Sequence, residues 1–251
     1  MAIAGGGKFS APRRRMNLSL MKLKIPAALV LVCTAFFVTF LQVKANEETD
    51  DPISSSAIWS PDDDDLVEIE QSCQTEAATS YSKCFVEQMG GFASSEAVAF
   101  SRSLMEKTPA RAGYLKELHE AGPVDLGLVI YIGGENASQG WTLVNGSPAV
   151  VSVDDLKLLP QSAMEKDRLF NSLRTQYPQI RLTIENDDRK TDSLPEMQAL
   201  GDGNQRFVIG YSLKEPCPAC KIVGHASFGF DFDATGKFLG VTFIRVAPVN
   251  L

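Results

Sequence analysis

Apolar positions in the first half of the folded part recur with the period of an α-helix, and they predict three helices. The first covers residues 81–89 and ends at Gly90-Gly91, and the second is capped by Ser94 or Ser95. The third follows Thr108-Pro109, where a capping hydroxyl precedes a proline at the first helical position. The apolar residues of the third helix are Tyr114, Leu115 and Leu118.

Short apolar runs separated by turn residues predict two antiparallel β-meanders in the rest of the chain. The strands of the first meander are residues 126–132, 139–144 and 149–153. The strands of the second are residues 206–213, 222–232 and 238–246. Alternation places Phe228, Phe230 and Phe232 on one face, with Val223 and Phe243 in the same core.

The segment between the two meanders is predicted to hold one helix and one strand. Ser162 and Glu165 match a capping box that opens the helix, and Tyr177-Pro178 ends it. Residues 180–184 alternate as a strand, and residues 185–203 are polar and loop-like. The predicted class is α+β, with N-terminal helices and one central helix packed on an antiparallel sheet that ends in a C-terminal meander.

The N-terminus has the charge and hydropathy pattern of a secretory signal peptide. Six basic residues and no acid occupy residues 1–24, an apolar run covers 25–41, and Val43-Lys44-Ala45 offers small residues for cleavage after Ala45. We therefore interpret residues 1–45 as a signal peptide. The alternative is an uncleaved anchor, which leaves the domain outside the inner membrane and makes 25–41 its only membrane contact.

The charge balance changes after this leader. The chain has 24 Lys and Arg against 31 Asp and Glu, and residues 1–45 hold seven of the basic residues and none of the acids. The remaining chain carries a net charge of −14 from 17 basic and 31 acidic residues, which argues against a nucleic-acid partner. Residues 46–65 are rich in acids, Ser and Pro, and they predict a disordered spacer before a single exported domain at 66–251.

Four cysteines follow the leader, and an even number in an oxidising compartment predicts two disulfides. Cys73 and Cys84 lie 11 residues apart, about 16 Å on one continuous helix, which is too far for a bond. They can pair only if the chain turns between them, for example near Thr79-Ser80. The favoured pairing is local, Cys73 with Cys84 and Cys217 with Cys220, and the alternative ties the helices to the sheet.

Cys217-Pro218-Ala219-Cys220 resembles the redox motif of glutaredoxins and periplasmic thiol oxidases. That resemblance implies Cys217 as nucleophile and Cys220 as resolving thiol. In those families a helix follows the first cysteine and activates it, whereas here the motif lies between two strands. A structural cystine is therefore favoured over redox chemistry, and both are favoured over a metal site that would add His225. We expect no cofactor and no metal.

Other candidate chemistry is sparse. Asp154 and Asp155 follow one strand, and three acids follow another, which would suit a pair of hydrolytic carboxylates. Those three acids are Glu185, Asp187 and Asp188. In a chain this acidic, solvated loop residues are the favoured interpretation of these acids. Residues 231–236 resemble the start of a calcium loop but favour a hairpin turn with Gly236 at positive φ. Trp141 is interpreted as a core residue, and His119 as a residue near a helix end.

The stretch 139–146 and the stretch 205–240 resemble exported proteins of Gram-negative bacteria with a C-terminal C-x-x-C hairpin and no assigned role. The chain is also similar, more loosely, to periplasmic inhibitors of vertebrate-type lysozyme, whose short disulfide-closed loop carries a histidine. Here residues 214–220 contain no histidine.

The leading hypothesis is a non-catalytic periplasmic or secreted domain that binds an envelope protein or ligand of unknown identity. The alternatives are a thiol–disulfide oxidoreductase and a lysozyme-directed inhibitor.

Overall fold

A computed structural model of the chain describes residues 52–74, 78–108, 111–132, 138–184, 194–217 and 220–249, apart from the side chains of Ala78 and Thr79. These residues belong to one compact unit, Asp50–Leu251. The predicted signal peptide at 1–45 lies outside the described residues. No helix in the described ranges is both long and apolar enough to cross a membrane.

Helices dominate the start of this unit, and strands dominate the rest. The helices are α1 (Asp63–Cys73), α2 (Ala78–Met89), α3 (Ser95–Lys107), α4 (Gln161–Met164) and α5 (Arg168–Gln176). The strands are β1 (Gly113–His119), β2 (Asp125–Tyr131), β3 (Ser138–Val144), β4 (Val150–Ser152), β5 (Arg181–Thr183), β6 (Glu196–Ala199), β7 (Gln205–Lys214), β8 (Gly224–Phe232) and β9 (Phe238–Pro248).

The predicted α+β class is confirmed, and the strands form two antiparallel sheets. The first sheet has the order β1-β2-β3-β4. In the second, β5-β7-β8-β9 form a continuous path, and β6 also pairs with β7. Both predicted meanders are present, as β2-β3-β4 and as β7-β8-β9.

The prediction that residues 46–65 form a disordered spacer is wrong from Pro52 onward. Residues Ser55–Ala57 form a short 3-10 helix, and Ile58 bridges Leu115 in parallel. The Trp59 N–H donates to the Leu115 carbonyl at 2.9 Å. The Trp59 ring is 6 % exposed and lies 5.0 Å from the Tyr114 ring, edge to face. An aromatic anchor that the acidic composition concealed therefore adds this segment to the fold.

The acidic run at 62–65 begins α1. The Asp62 carboxylate accepts a hydrogen bond from the Asp65 N–H at 2.8 Å. The Asp65 carboxylate in turn accepts a longer one, of 3.4 Å, from the Asp62 N–H. This is a capping box built from two aspartates. Acids in a first helical turn also interact favourably with the helix dipole, so the charge cluster has a structural role.

The helix predicted after Thr108-Pro109 is instead β1. Thr108 is the C-cap of α3: its N–H makes a last helical hydrogen bond to the Leu104 carbonyl at 2.9 Å, and the helix ends there because the Thr108 backbone is extended. A Cβ at Gly113 would lie 2.6 Å from the Ile130 carbonyl oxygen, so this position requires glycine for close pairing with β2. The apolar spacing of Tyr114, Leu115 and Leu118 fits either element, and pairing with a distant strand decides between them.

The first sheet is buried on both faces, as the continuous apolar run of β2 indicates. Leu126 and Leu128 face the main core, whereas Val129 and Tyr131 face a second cluster that includes Phe100 of α3. Trp141 is 4 % exposed in the main core, which confirms the prediction for this residue. A third cluster joins Trp59 to the inner faces of α1 and α2.

The second sheet supplies the other half of the main core. Phe228, Phe230 and Phe232 are completely buried on one face of β8, as the alternation predicts. Val223 and Phe243 are partly buried against the same core. The two sheets thus pack through one shared apolar layer, to which α5 adds Phe170 and Leu173.

The predicted capping box at Ser162 does not form. The segment Gln161–Met164 is a single turn without a side-chain cap, and the longer helix starts at Arg168. The Asp167 carboxylate caps α5 by accepting from the Leu169 and Phe170 N–H groups at 2.8 and 3.0 Å. Tyr177 ends α5 as predicted. The predicted loop at 185–203 contains the strand β6, while residues 185–193 lie outside the described part.

A buried amide connects the two sheets. The Gln205 side chain is at the start of β7 and accepts from the Val124 N–H at 3.2 Å. Its amide nitrogen donates to the carbonyls of Ala121 and Val124 at 3.0 and 3.1 Å. One side chain therefore satisfies three backbone groups between β1 and β2.

A second amide attaches the N-terminal segment. Asn145 lies in the turn after β3 with φ of 66°. Its side chain accepts from the Ile53 N–H at 2.6 Å and donates to the Ile53 carbonyl at 2.8 Å. The same amide donates to Asp125 at 2.7 Å, so Ile53 is held against the first sheet.

Candidate functional site

The favoured local cysteine pairing is confirmed. The sulfurs of Cys73 and Cys84 are 1.95 Å apart, as are those of Cys217 and Cys220. Cys73 ends α1 and α2 starts at Ala78, so the chain turns earlier than the predicted Thr79-Ser80. The domain is therefore stabilised by two disulfides that each close a short loop.

The Cys217–Cys220 disulfide closes the tip of the β7–β8 connection. The Cys217 N–H donates to the Glu215 carbonyl at 2.8 Å, and the Cys220 N–H donates to the Cys217 carbonyl at 3.2 Å. Residues 221–223 are not helical, and β8 starts at Gly224. The cysteines thus lie in a turn between strands, without the following helix that activates the nucleophile in the redox families.

A small cleft of about 290 Å³ lies beside this loop. Pro178 and Gln179 form one wall, and Glu215, Pro216 and the two cysteines form the other. Pairing of Arg181 in β5 with Lys214 in β7 brings the two walls together. The described lining contains a single charged side chain, Glu215, so this cleft suits a contact surface better than acid–base chemistry.

A second cleft, of about 270 Å³, lies on the face of the first sheet that α3 covers. The side chains that line it come from the ends of α3, β2, β4 and β5. They are Thr108, Arg111, Tyr131, Ser152, Asp154, Asp155 and Ile184. The helix α3 ends at Lys107, beside this cleft, and a Cβ at Gly140 would lie within 3.3 Å of both Asp154 and Tyr131.

Tyr131 forms the floor of this second cleft. Its ring is 2 % exposed, and its hydroxyl lies 3.2 Å from the Thr142 hydroxyl. Burial raises the pKa of Tyr131, the Asp154 carboxylate raises it further, and the Arg111 guanidinium opposes this rise. The Arg111 Cζ lies 4.7 Å from the ring centroid, a cation–π contact.

The candidate carboxylate pair lies only partly within the described residues. Asp154 and Asp155 both line the second cleft, and Ile184, the residue before Glu185, lines it too. Glu185, Asp187 and Asp188 lie outside the described residues. Sequence reasoning missed Arg111 and Tyr131 at this site, because they lie far from Asp154 in the chain and strand pairing brings them together.

A third cleft, of about 390 Å³, separates the N-terminal segment from α3. Its walls are mostly serine hydroxyls and small apolar side chains, including Ser54, Ser56 and Ala57 opposite Ser95 and Ser103. Among the described residues that line it, Glu96 is the one charged side chain.

Both histidines lie in strands, which corrects the interpretation of His119 as a residue near a helix end. His119 ends the strand β1, not a helix, and its ring lies 5.6 Å from Trp141. His225 lies within β8, paired with Ser212 and Ala247. In the part of the chain that the structure describes, no group of three His, Cys, Asp or Glu side chains could hold a metal ion.

The turn at 233–236 is the predicted hairpin turn. Gly236 has φ of 82°, and a Cβ there would lie 2.8 Å from the Pro123 carbonyl oxygen. The Asp233 carboxylate accepts from the Thr235 hydroxyl and from the N–H groups of Thr235 and Lys237. These hydrogen bonds lower the pKa of Asp233, and they show that its carboxylate stabilises the turn.

No family model, curated protein or solved structure matches the chain. The fold and the clefts therefore define a class only: a disulfide-stabilised α+β domain with two antiparallel sheets.

Proposed function

We propose that this chain is an exported, non-catalytic domain that binds a partner in the periplasm or cell envelope through the loop closed by Cys217 and Cys220. The observation that carries the proposal is the position of that disulfide, between a strand of 10 residues and one of 9. A loop fixed by a short covalent ring loses little conformational freedom when it binds.

The sequence supports the exported setting. The leader pattern at 1–45 directs the chain across a membrane, and an oxidising compartment preserves both disulfides. The net charge of −14 after the leader favours a partner other than nucleic acid.

Site-specific photo-crosslinking in a Gram-negative host tests this proposal. A photoreactive residue at Pro216, which is exposed beside the disulfide, should crosslink to a discrete envelope component. The matched control position is Asp202, exposed just before the other end of β7. Replacing Cys217 and Cys220 together by alanine should weaken the Pro216 crosslink. Equal crosslinking from both positions, or no effect of opening the loop, would contradict the proposal.

A thiol–disulfide oxidoreductase is the second candidate, because Cys217 and Cys220 are both partly exposed and line a cleft. Insulin reduction by the wild-type protein, with Cys217→Ser as control, separates the two functions. Turnover that depends on Cys217 would replace binding as the leading function.

The likeness to periplasmic lysozyme inhibitors names one partner class. A cell-wall lysis assay with added protein measures it directly, and the Cys217→Ala/Cys220→Ala double variant is the control. Inhibition that is lost when the loop is opened would identify lysozyme as the partner.

A further inference from the structure

We propose that the cleft formed by Arg111, Tyr131 and Asp154 is a binding site for a small zwitterion, an α-amino acid or a short peptide. This inference is independent of the disulfide loop, because it rests on a different cleft and on different side chains.

The cleft carries opposite charges on separate elements. Arg111 lies on the segment between α3 and β1, and Asp154 and Asp155 follow β4. A ligand with only a negative charge would face both carboxylates, and a ligand with only a positive charge would face the guanidinium. A ligand that has both an ammonium and a carboxylate group complements both walls.

The positive wall is held in a fixed orientation. The guanidinium packs over the Tyr131 ring, and one of its terminal nitrogens donates to the Ser138 hydroxyl at 2.5 Å. A guanidinium has five N–H donors, so this contact leaves others to bind a carboxylate. Arg111 is otherwise exposed, and a ligand can reach it from solvent.

The negative wall is brought close to the same ring by Gly140. A Cβ at Gly140 would lie 3.2 Å from an Asp154 carboxylate oxygen and 3.3 Å from a ring carbon of Tyr131. Glycine therefore lets the carboxylate approach the edge of the ring. The hydroxyls of Thr108 and Ser152 and the apolar side chain of Ile184 complete the described lining.

The volume of the cleft limits the ligand. Sites for drug-sized molecules measure roughly 300–1,000 Å³, and this cleft measures about 270 Å³. A free amino acid or a dipeptide suits that space.

Titration followed by NMR tests the site with defined probes. The probes are glycine, both enantiomers of alanine, alanyl-alanine, propionate and ethylammonium. We expect alanine or alanyl-alanine to shift the Arg111 side-chain and Tyr131 ring signals, with at least roughly tenfold tighter binding than propionate or ethylammonium. Tighter binding of alanyl-alanine than of alanine would identify a peptide as the ligand, and the reverse would identify a free amino acid.

The variants distinguish the two walls. Arg111→Gln should weaken zwitterion binding at least roughly tenfold and leave ethylammonium binding unchanged or tighter. Asp154→Asn should weaken zwitterion binding and strengthen propionate binding. Asp155→Asn provides a second acidic variant in case Asp154→Asn impairs folding. Arg102→Gln and Glu106→Gln, both exposed on α3, are the matched controls and should leave binding unchanged.

Three results would overturn the proposal. These are propionate or ethylammonium binding as tightly as alanine, an absence of shifts with every probe at saturating concentration, and equal binding by wild type and Arg111→Gln.

Discussion

The Gln205 side chain shows how much a single buried amide can contribute to this fold. Replacing it with leucine leaves the Val124 N–H and the carbonyls of Ala121 and Val124 without their partner. An unsatisfied buried polar group costs about 1–3 kcal/mol, so we expect Gln205→Leu to lower the free energy of unfolding by roughly 2–4 kcal/mol. Urea denaturation measures this loss. Gln198→Leu on β6, whose side chain is partly exposed and donates to the Glu196 carboxylate at 2.9 Å, is the control. A loss no larger than that of the control would contradict the assignment.

The buried Tyr131 is expected to make the free energy of unfolding fall at alkaline pH. Burial raises its pKa above the usual value of about 10, so the folded state holds the phenol proton more tightly than the unfolded state. The stability from this group is fully present below the unfolded pKa, and it is lost as the pH rises through the folded pKa.

Tyr131→Phe should therefore flatten the fall in unfolding free energy above pH about 10. Tyr81 and Tyr114 also have pKa values raised by burial, so a smaller slope remains. Unfolding measured across this pH range, with tyrosinate absorbance as a second signal, tests the expectation. The same slope in wild type and variant would count against it.

At the scale of elements, the segment before α1 is part of the domain because Trp59 packs between Phe85 and Tyr114. Trp59→Ala in the full chain should lower the free energy of unfolding by roughly 3–5 kcal/mol. Val67→Ala, at a position that is 48 % exposed on α1, should change it by less than about 0.5 kcal/mol. Thermal or chemical denaturation of both variants measures these changes in the free energy of unfolding. If the segment were a spacer, the two variants would behave alike.

The two disulfides should contribute unequally. Cys73 and Cys84 are separated by 11 residues, and Cys217 and Cys220 by 3. The entropy removed from the unfolded chain grows with loop length, which predicts a loss of roughly 3 kcal/mol without the first bridge and roughly 2 kcal/mol without the second. Paired Cys→Ala variants, compared by urea denaturation, measure this order. A larger loss from the Cys217–Cys220 pair would reverse it.

The elements that the sequence predicts well are those with strong local signals. Residues 126–132 form a continuous apolar run, residues 222–232 alternate apolar positions with small or polar ones, and both stretches contain a largely buried strand. The strand β6 has only four residues and three of them are exposed, so no buried apolar face marks it. For β1, the apolar spacing is compatible with both a helix and a strand, and only the pairing with β2 decides between the two.

The candidate sites are also predictable only where their residues lie close together in the sequence. Cys217 and Cys220 are neighbours in sequence, and their pairing is predictable from the short loop. Arg111, Tyr131 and Asp154 meet through strand pairing, which a single sequence does not display. Of the second cleft, only Asp154 and Asp155 are predictable, because they follow directly after a predicted strand.

At the scale of the whole molecule, the predicted signal peptide determines where the mature chain should begin. Cleavage after Ala45 leaves seven residues before Ile53, which Asn145 holds against the first sheet. We expect the protein recovered from the periplasm of a Gram-negative host to begin at Asn46, with both disulfides formed. Intact-mass measurement and disulfide mapping by mass spectrometry test both expectations. The double variant Val43→Asp/Ala45→Asp should block cleavage, because a signal-peptide cleavage site requires small residues at these positions. A full-length chain with four reduced thiols in the cytosol would contradict export, and with it the reason these cysteines form cross-links.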